Sequence, residues 1–301
     1  MQPSRARRIP YLRFLVALVA TALLATGCGM LETKERELVW RPVHVAAAWF
    51  SGLPAGVQEV RLSVGEGAHA PHIHGWWWPA DHANAPVVLY LHGARWNLTG
   101  QLRRIAQLRE FGFSVFAIDY RGFGASDGDV PSESTAQEDA RAAWRWLAAR
   151  QPDASRRYIY GHSLGGAVAI DLASSLPQHG AGGLIVESSF TSLAEVAAAM
   201  SYEWLPVGLI LSDKFDSVSK IAQVHVPVLI VHGANDGYVP PRLSEALYAA
   251  APQPKKLLVV DGGSHNNSMW VGQDEYRDAM AELFGLGVTA TAAKMPRRRG
   301  G

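Results

Sequence analysis

The chain has 301 residues, 48% of them hydrophobic, enough to fill the core of one large α/β domain. Its 28 lysines and arginines against 27 aspartates and glutamates leave a formal charge of +1, which gives no basis for a nucleic-acid partner. The single cysteine, Cys28, excludes an intrachain disulfide and any cysteine-based zinc site.

Residues 1–31 have the form of a targeting segment set apart from the fold. Arg5, Arg7, Arg8 and Arg13 make a basic start, and Phe14 to Ala25 form an apolar core. The core ends in Leu24-Ala25-Thr26-Gly27-Cys28, small residues before a lone cysteine. This resembles the lipobox of bacterial lipoproteins, in which the cysteine is lipidated and becomes the new N-terminus. The alternatives are an ordinary signal peptide and an uncleaved helix, since Phe14 to Leu31 carries no charge and is near the lower length limit for a span. Lipoprotein and uncleaved anchor both leave the arginines in the cytoplasm and put the domain outside it. The expected location is therefore membrane-anchored and extracytoplasmic.

One domain is expected over residues 32–285. Leu38-Val39-Trp40 reads as a strand or as a segment packing on the sheet. Val57 to Val64 and Ile73 to Trp78 alternate apolar and polar side chains around Gly65-Glu66-Gly67, the pattern of an antiparallel pair. His69, His72 and His74 lie at this hairpin with no nearby carboxylate in sequence beyond Asp81, so no metal site is expected there. Trp76, Trp77 and Trp78 cannot all face one side of a strand, so at least one should cover an edge.

From Pro86 onward, apolar strands separated by helices indicate a parallel sheet covered on both faces. The predicted strands are Val87 to Leu91, Ser114 to Ile118, Arg157 to Tyr160, Leu184 to Val186, Pro227 to Val231 and Lys256 to Val260. The helices between them are Leu102 to Phe111, a helix ending at Arg150, Ala167 to Leu176, Arg242 to Ala251 and Tyr276 to Phe284. Ser134 or Thr135 should cap the second of these, with Glu138 completing a capping box after Thr135. Residues 191–223 show no clear strand and are short enough to form a small lid. Residues 286–301, with Arg297-Arg298-Arg299, read as a disordered basic tail.

The chemistry centres on Arg157 to Ala169, which reads as strand, sharp turn and helix around Gly161-His162-Ser163-Leu164-Gly165-Gly166. Gly161 and Gly165 supply the missing side chains that such a turn requires, and the helix N-terminus favours negative charge beside Ser163. A G-x-S-x-G pattern alone decides little. Its partners give it weight: Asp236 follows one predicted strand and His265 follows the next, in the order nucleophile, acid, base. Oxyanion donors are expected at the backbone N–H of Leu164 and of Ala94, in the loop after the first parallel strand. His92 and His162 read as packing and hydrogen-bonding residues, and Asp119 and Arg121 as braces for a neighbouring loop.

Taken together, His92-Gly93, Asp119 to Ser126, Gly161 to Gly166, Glu187 to Phe190, Pro227-Val228, His232-Gly233 with Asp236, Val239-Pro240 and Gly263 to Asn266 resemble the α/β-hydrolase superfamily. Within it, the chain resembles the small-lid, membrane-anchored abhydrolase-domain serine hydrolases over about residues 57–285. The resemblance implies an eight-stranded, mostly parallel sheet with helices on both faces. It also implies hydrolysis of carboxylic esters or thioesters through an acyl-enzyme, without metal or cofactor. The expected partners are a small-molecule or lipid-like acyl substrate, and the membrane through an N-terminal lipid or helix. Two other functions remain open, a serine peptidase of the same fold and a catalytically idle, lipid-tethered binding protein. The chain departs from its relatives at Ala94-Arg95-Trp96, where Asn and small residues are frequent.

Overall fold

A computed structural model of the protein describes residues 29–202 and 211–286. The chain enters through a helix, α1, over residues 29–40. An antiparallel pair follows, β1 (Gln58–Ser63) and β2 (His72–Trp78), then β3 (Val87–Leu91), α2 (Leu98–Glu110), β4 (Ser114–Ile118) and α3 (Glu133–Arg150). The second half runs β5 (Arg157–His162), α4 (Leu164–Ser174), β6 (Gly183–Glu187), the short helices α5 (Leu193–Ala197) and α6 (Ser217–Ile221), β7 (Val228–Gly233) and α7 (Pro241–Ala250). It ends with β8 (Lys255–Val260), α8 (Ser268–Val271) and α9 (Gln273–Phe284). All eight strands form one sheet in the order β1-β2-β4-β3-β5-β6-β7-β8. Only β2 runs against its neighbours β1 and β4; the pairs from β4 to β8 are parallel.

The pleat divides the core. Leu89 and Leu91 point to the face covered by α3, α4 and α7, while Val88 and Tyr90 point to the face covered by α2 and α9. The tryptophan run follows the same rule: Trp77 packs edge-on against Trp146 on one face, and Trp76 stacks on Phe50 on the other. Because every crossover is parallel from β3 onward, the loops leaving β3 to β8 gather along one rim of the sheet.

Three expectations change. Leu38-Val39-Trp40 closes helix α1 and is not a strand, while the alternative of a segment packing on the sheet fits Trp40, which joins the core with Ile73 and Leu91. Glu32, Glu35, Arg36, Val39 and Trp40 recur at helical spacing and face the protein, a period that three adjacent apolar residues alone do not reveal. Trp40 is fully buried, with ring centroids 5.4 Å from Tyr120 and 5.8 Å from Phe215. The N-cap of α3 is Ser132, which forms a reciprocal box with Thr135, while the predicted box residue Glu138 instead pairs with Arg121. Helix α2 starts at Leu98, ahead of the predicted Leu102, because the Asn97 side chain caps it.

The lipidation candidate Cys28, the apolar segment before it, residues 203–210 of the predicted lid and the tail from 287 lie outside the described residues. Among the described residues, no helix is long and apolar enough to cross a membrane.

Candidate active site

The turn between β5 and α4 holds Ser163 at φ 55° and ψ −122°, a strained conformation for a residue with a side chain. Two glycines make room for it. A Cβ on Gly161 would lie 2.3 Å from the Gly165 carbonyl oxygen, and one on Gly165 would lie 2.2 Å from that of Leu91. Backbone bonds pin the turn: Ser163 N donates to Glu187 O at 2.9 Å, and the Ser189 hydroxyl donates to Ser163 O at 2.9 Å. The Ser163 side chain is left at the rim, half-buried.

The two predicted partners meet it there. His265, in the loop after β8, has Nε2 3.1 Å from Ser163 Oγ and Nδ1 2.7 Å from Asp236 Oδ2. Asp236 follows β7, and its side chain is wholly buried. Its other oxygen accepts from Tyr238 N at 2.8 Å and Val239 N at 2.9 Å. Burial alone would raise the Asp236 pKa, but hydrogen bonds from His232 and His265, with the Val239 N–H, hold it well below the usual carboxylate range. An ionised acid therefore faces Nδ1, which favours the tautomer carrying its proton there and leaves Nε2 to accept from the hydroxyl.

The donors expected for an oxyanion sit on either side. Leu164 is the first residue of α4, whose N-cap makes no side-chain bond, and Ala94 lies in the loop after β3. Among the described residues, neither N–H donates a hydrogen bond. The loop runs hard against the elbow, because a Cβ on Gly93 would come 3.0 Å from that of Ser163. Arg95 takes a positive φ, and its N–H is spent on Trp40 O at 2.8 Å, so α1 fixes this loop. A cavity of about 530 Å³ opens between α5, α6 and the start of α7, lined by Thr191, Ser192, Leu211, Lys214, Val218 and Arg242. Neither Ser163 nor His265 lines it.

The sequence model of the family described as serine aminopeptidase, S33, matches residues 82–207. The uncharacterised protein Rv2307c of Mycobacterium tuberculosis is 38% identical over 271 residues, covering 89% of this chain and 91% of its own length. The lysophosphatidylserine lipase ABHD12 of Danio rerio is 35% identical over 200 residues, 60% of this chain and 51% of that protein. Among solved structures, the Pyrococcus furiosus esterase Pf2001 superposes with a TM-score of 0.64 at 21% identity, covering 82% of this chain and 98% of the esterase. The chain belongs to the α/β-hydrolase superfamily.

Around the site, the hydrolase carries further buried polar residues. His232 donates or accepts at Ser244 Oγ, 2.6 Å, and its Nε2 lies 2.8 Å from Val239 O and 3.2 Å from Asp236 Oδ2. Arg104 of α2 is buried against Glu187, 83 residues away in sequence. His162 is buried beside His265, its Nε2 2.8 Å from His265 O. Burial, the Arg104 charge and His265 together push the His162 pKa well below 6.5, so the ring stays neutral and donates. The reading of His162 as a hydrogen-bonding residue fits this contact, and Glu187 and His232 stand among the residues that carry the family resemblance, whereas no sequence pattern singles out Arg104.

His92 is buried, with Nδ1 2.7 Å from Gly93 O. Asp119 accepts from Leu98 N at 2.9 Å, so it braces the start of α2, and Arg121 binds Asp139 and Glu138 of α3. Of the hairpin histidines, His72 faces Asp127 at 3.3 Å and His74 faces Glu59 at 2.9 Å. Asp127 is 55 residues from His72 in sequence, and Glu59 lies on β1, the strand paired with that of His74. Among the described residues, no three metal-ligating side chains converge on one point.

Proposed function

We propose that the protein is a serine hydrolase that cleaves carboxylic ester or thioester bonds through an acyl-enzyme. The observation that carries this reading is one imidazole, His265, within hydrogen-bond distance of both a buried carboxylate and the hydroxyl on the strained turn. In this reading His265 Nε2 takes the Ser163 proton as Oγ attacks the acyl carbon, and the Leu164 and Ala94 N–H groups hold the resulting oxyanion. The carbon–oxygen or carbon–sulfur bond then breaks, and His265 returns the proton to the leaving group. Water repeats the sequence on the ester of Ser163 and releases the acid. Asp236 stays ionised and stabilises the imidazolium.

The substrate class is a small or lipid-like acyl compound, consistent with the esterase and lipase among the similar proteins. We place the domain outside the cytoplasm, tethered through the basic and apolar N-terminal segment and the Cys28 lipid. A fluorophosphonate probe should label the wild type at Ser163 and leave Ser163→Ala unlabelled; labelling that persists in the variant would put the nucleophile elsewhere. A series of p-nitrophenyl esters, thioesters and lysophospholipids, run beside an aminoacyl p-nitroanilide, separates esterase, lipase and peptidase activity. The last arm matters because the matched family is described as an aminopeptidase.

A further inference from the structure

His265 works only if its ring spans two partners at once, yet it sits in a loop between β8 and α8 rather than on a regular element. Two side chains hold its main chain. His162 of β5 binds the His265 carbonyl at 2.8 Å, and Arg104 of α2 donates from Nη2 to the next carbonyl, that of Asn266, at 3.1 Å. The first comes from the strand that delivers Ser163, the second from the helix that follows the Ala94 loop. The base loop is thus tied to the strand that delivers Ser163 and to the helix that follows the Ala94 loop.

The remaining contacts of Arg104 hold it for this task. Nη1 donates to Glu187 Oε1 at 2.5 Å and to the Tyr160 hydroxyl at 3.1 Å. Glu187 is fully buried, and its other oxygen accepts from Tyr160 at 2.5 Å and Tyr276 at 2.7 Å. The Trp270 ring, in α8 just past the base loop, lies 5.3 Å from the guanidinium. A buried ion pair is about neutral for stability against apolar residues of similar size, so stability alone gives no reason for this cluster in an otherwise apolar layer. The forked guanidinium, by contrast, can serve Glu187 with one nitrogen and Asn266 with the other.

We infer that Arg104, held by Glu187, is a positioning residue for His265: it fixes the main chain at Asn266 so that the imidazole bridges Asp236 and Ser163. This rests on the serine hydrolase reading. The test compares wild type, Arg104→Lys and the double variant Arg104→Met/Glu187→Gln. Lysine keeps the charge beside Glu187 but loses the fork; the double variant leaves no unpaired buried charge and keeps an acceptor for both tyrosines. In each folded variant kcat for a p-nitrophenyl ester should fall about 10- to 100-fold, with KM within about twofold, as expected for a misplaced catalytic group. The downfield proton resonance of the His265 Nδ1–H bound to Asp236 should shift or broaden, which a purely structural role would not cause while the thermal midpoint holds. A folded variant with kcat within about twofold of wild type and an unmoved resonance overturns the proposal. So does failure of both variants to fold, which would make the cluster structural. Fluorophosphonate labelling of the wild type keeps the two readings apart: no label at Ser163 removes the hydrolase mechanism, whereas a labelled, active wild type beside unaffected variants removes only the role of Arg104.

Discussion

Two buried carboxylates on the same rim of the sheet are each flanked by two imidazoles, and only one of them faces a hydroxyl. Asp119, after β4, lies 3.4 Å from His92 and 3.8 Å from His74. Asp236, after β7, lies 3.2 Å from His232 and 2.7 Å from His265. Both stay ionised: burial pushes each pKa up, and it is more than offset at Asp236 by hydrogen bonds from His232 and His265, and at Asp119 by the nearby His74 and His92 rings and the Leu98 N–H. The contrast is at the far ring nitrogen. His74 Nε2 meets Glu59 at 2.9 Å, whereas His265 Nε2 meets Ser163 Oγ at 3.1 Å. A carboxylate beside an imidazole is thus ordinary structural material in this protein. What sets one copy apart is the strained turn that presents a hydroxyl to the outer ring nitrogen.

The sharpest way to break that contrast is to remove the outer imidazole from each copy. His265→Ala should lower ester turnover by about 10⁴- to 10⁶-fold, as loss of the base does in serine triads. His74→Ala should leave turnover within a few-fold, since its ring touches two carboxylates and no nucleophile. Comparable losses in initial-rate assays of the two purified variants would mean that the Asp119 copy also serves the reaction. The next largest effect tests the turn itself. Gly165→Ala would drive a Cβ against the Leu91 and His92 carbonyl oxygens, at 2.2 Å and 2.4 Å, which are main-chain atoms and cannot swing aside. Denaturant unfolding should show a loss of about 3 kcal/mol, the upper end for overpacking. Wild-type stability in that variant would show that the elbow relaxes more easily than its contacts imply.

How far the sequence foretold this depends on the range of each signal. Period-two alternation in β1 and β2, apolar runs bounded by turns in β3 to β8 and the glycine pair around Ser163 are local, and local patterns placed the sheet and the elbow. The chain order Ser163, Asp236, His265 added the one long-range inference, because each follows a strand whose end must reach the same rim. Element ends were harder. Ser132 outcompetes Ser134 and Thr135 as the cap of α3, and Asn97 starts α2 early, because such choices turn on single hydrogen bonds among neighbouring polar residues. Helix α1 was missed because its inward stripe mixes Glu32, Glu35 and Arg36 with Val39 and Trp40. Glu35 faces the backbone N–H groups of Ser212 and Asp213, partners that hydrophobic periodicity cannot register. The Arg104 and Glu187 cluster was invisible for the same reason, as its members come from four separated elements.

The smallest predicted effect separates the two copies by pH. Burial lowers the His74 pKa, but the negative charge of Asp119 and the hydrogen-bonded carboxylate of Glu59 outweigh it, and the net shift is upward from 6.5. The folded protein therefore favours protonated His74. Its stabilisation is fully present below the unfolded value of about 6.5 and is lost as pH rises through the higher folded value. Asp119 and Asp236 behave in the opposite sense. Their depressed values give stability that is present above about pH 3.9 and is lost only as the solution becomes more acid, so neither disturbs a comparison near neutrality. Urea unfolding of wild type and His74→Gln should accordingly show a larger gap at about pH 5.5 than at about pH 8.5, by less than about 1 kcal/mol for a partly exposed ion pair. A gap that is equal at both values would mean that folding leaves the His74 pKa unshifted, so that the flanking carboxylates add no net pH-dependent stability, and a smaller gap at about pH 5.5 would mean that the fold holds the ring neutral.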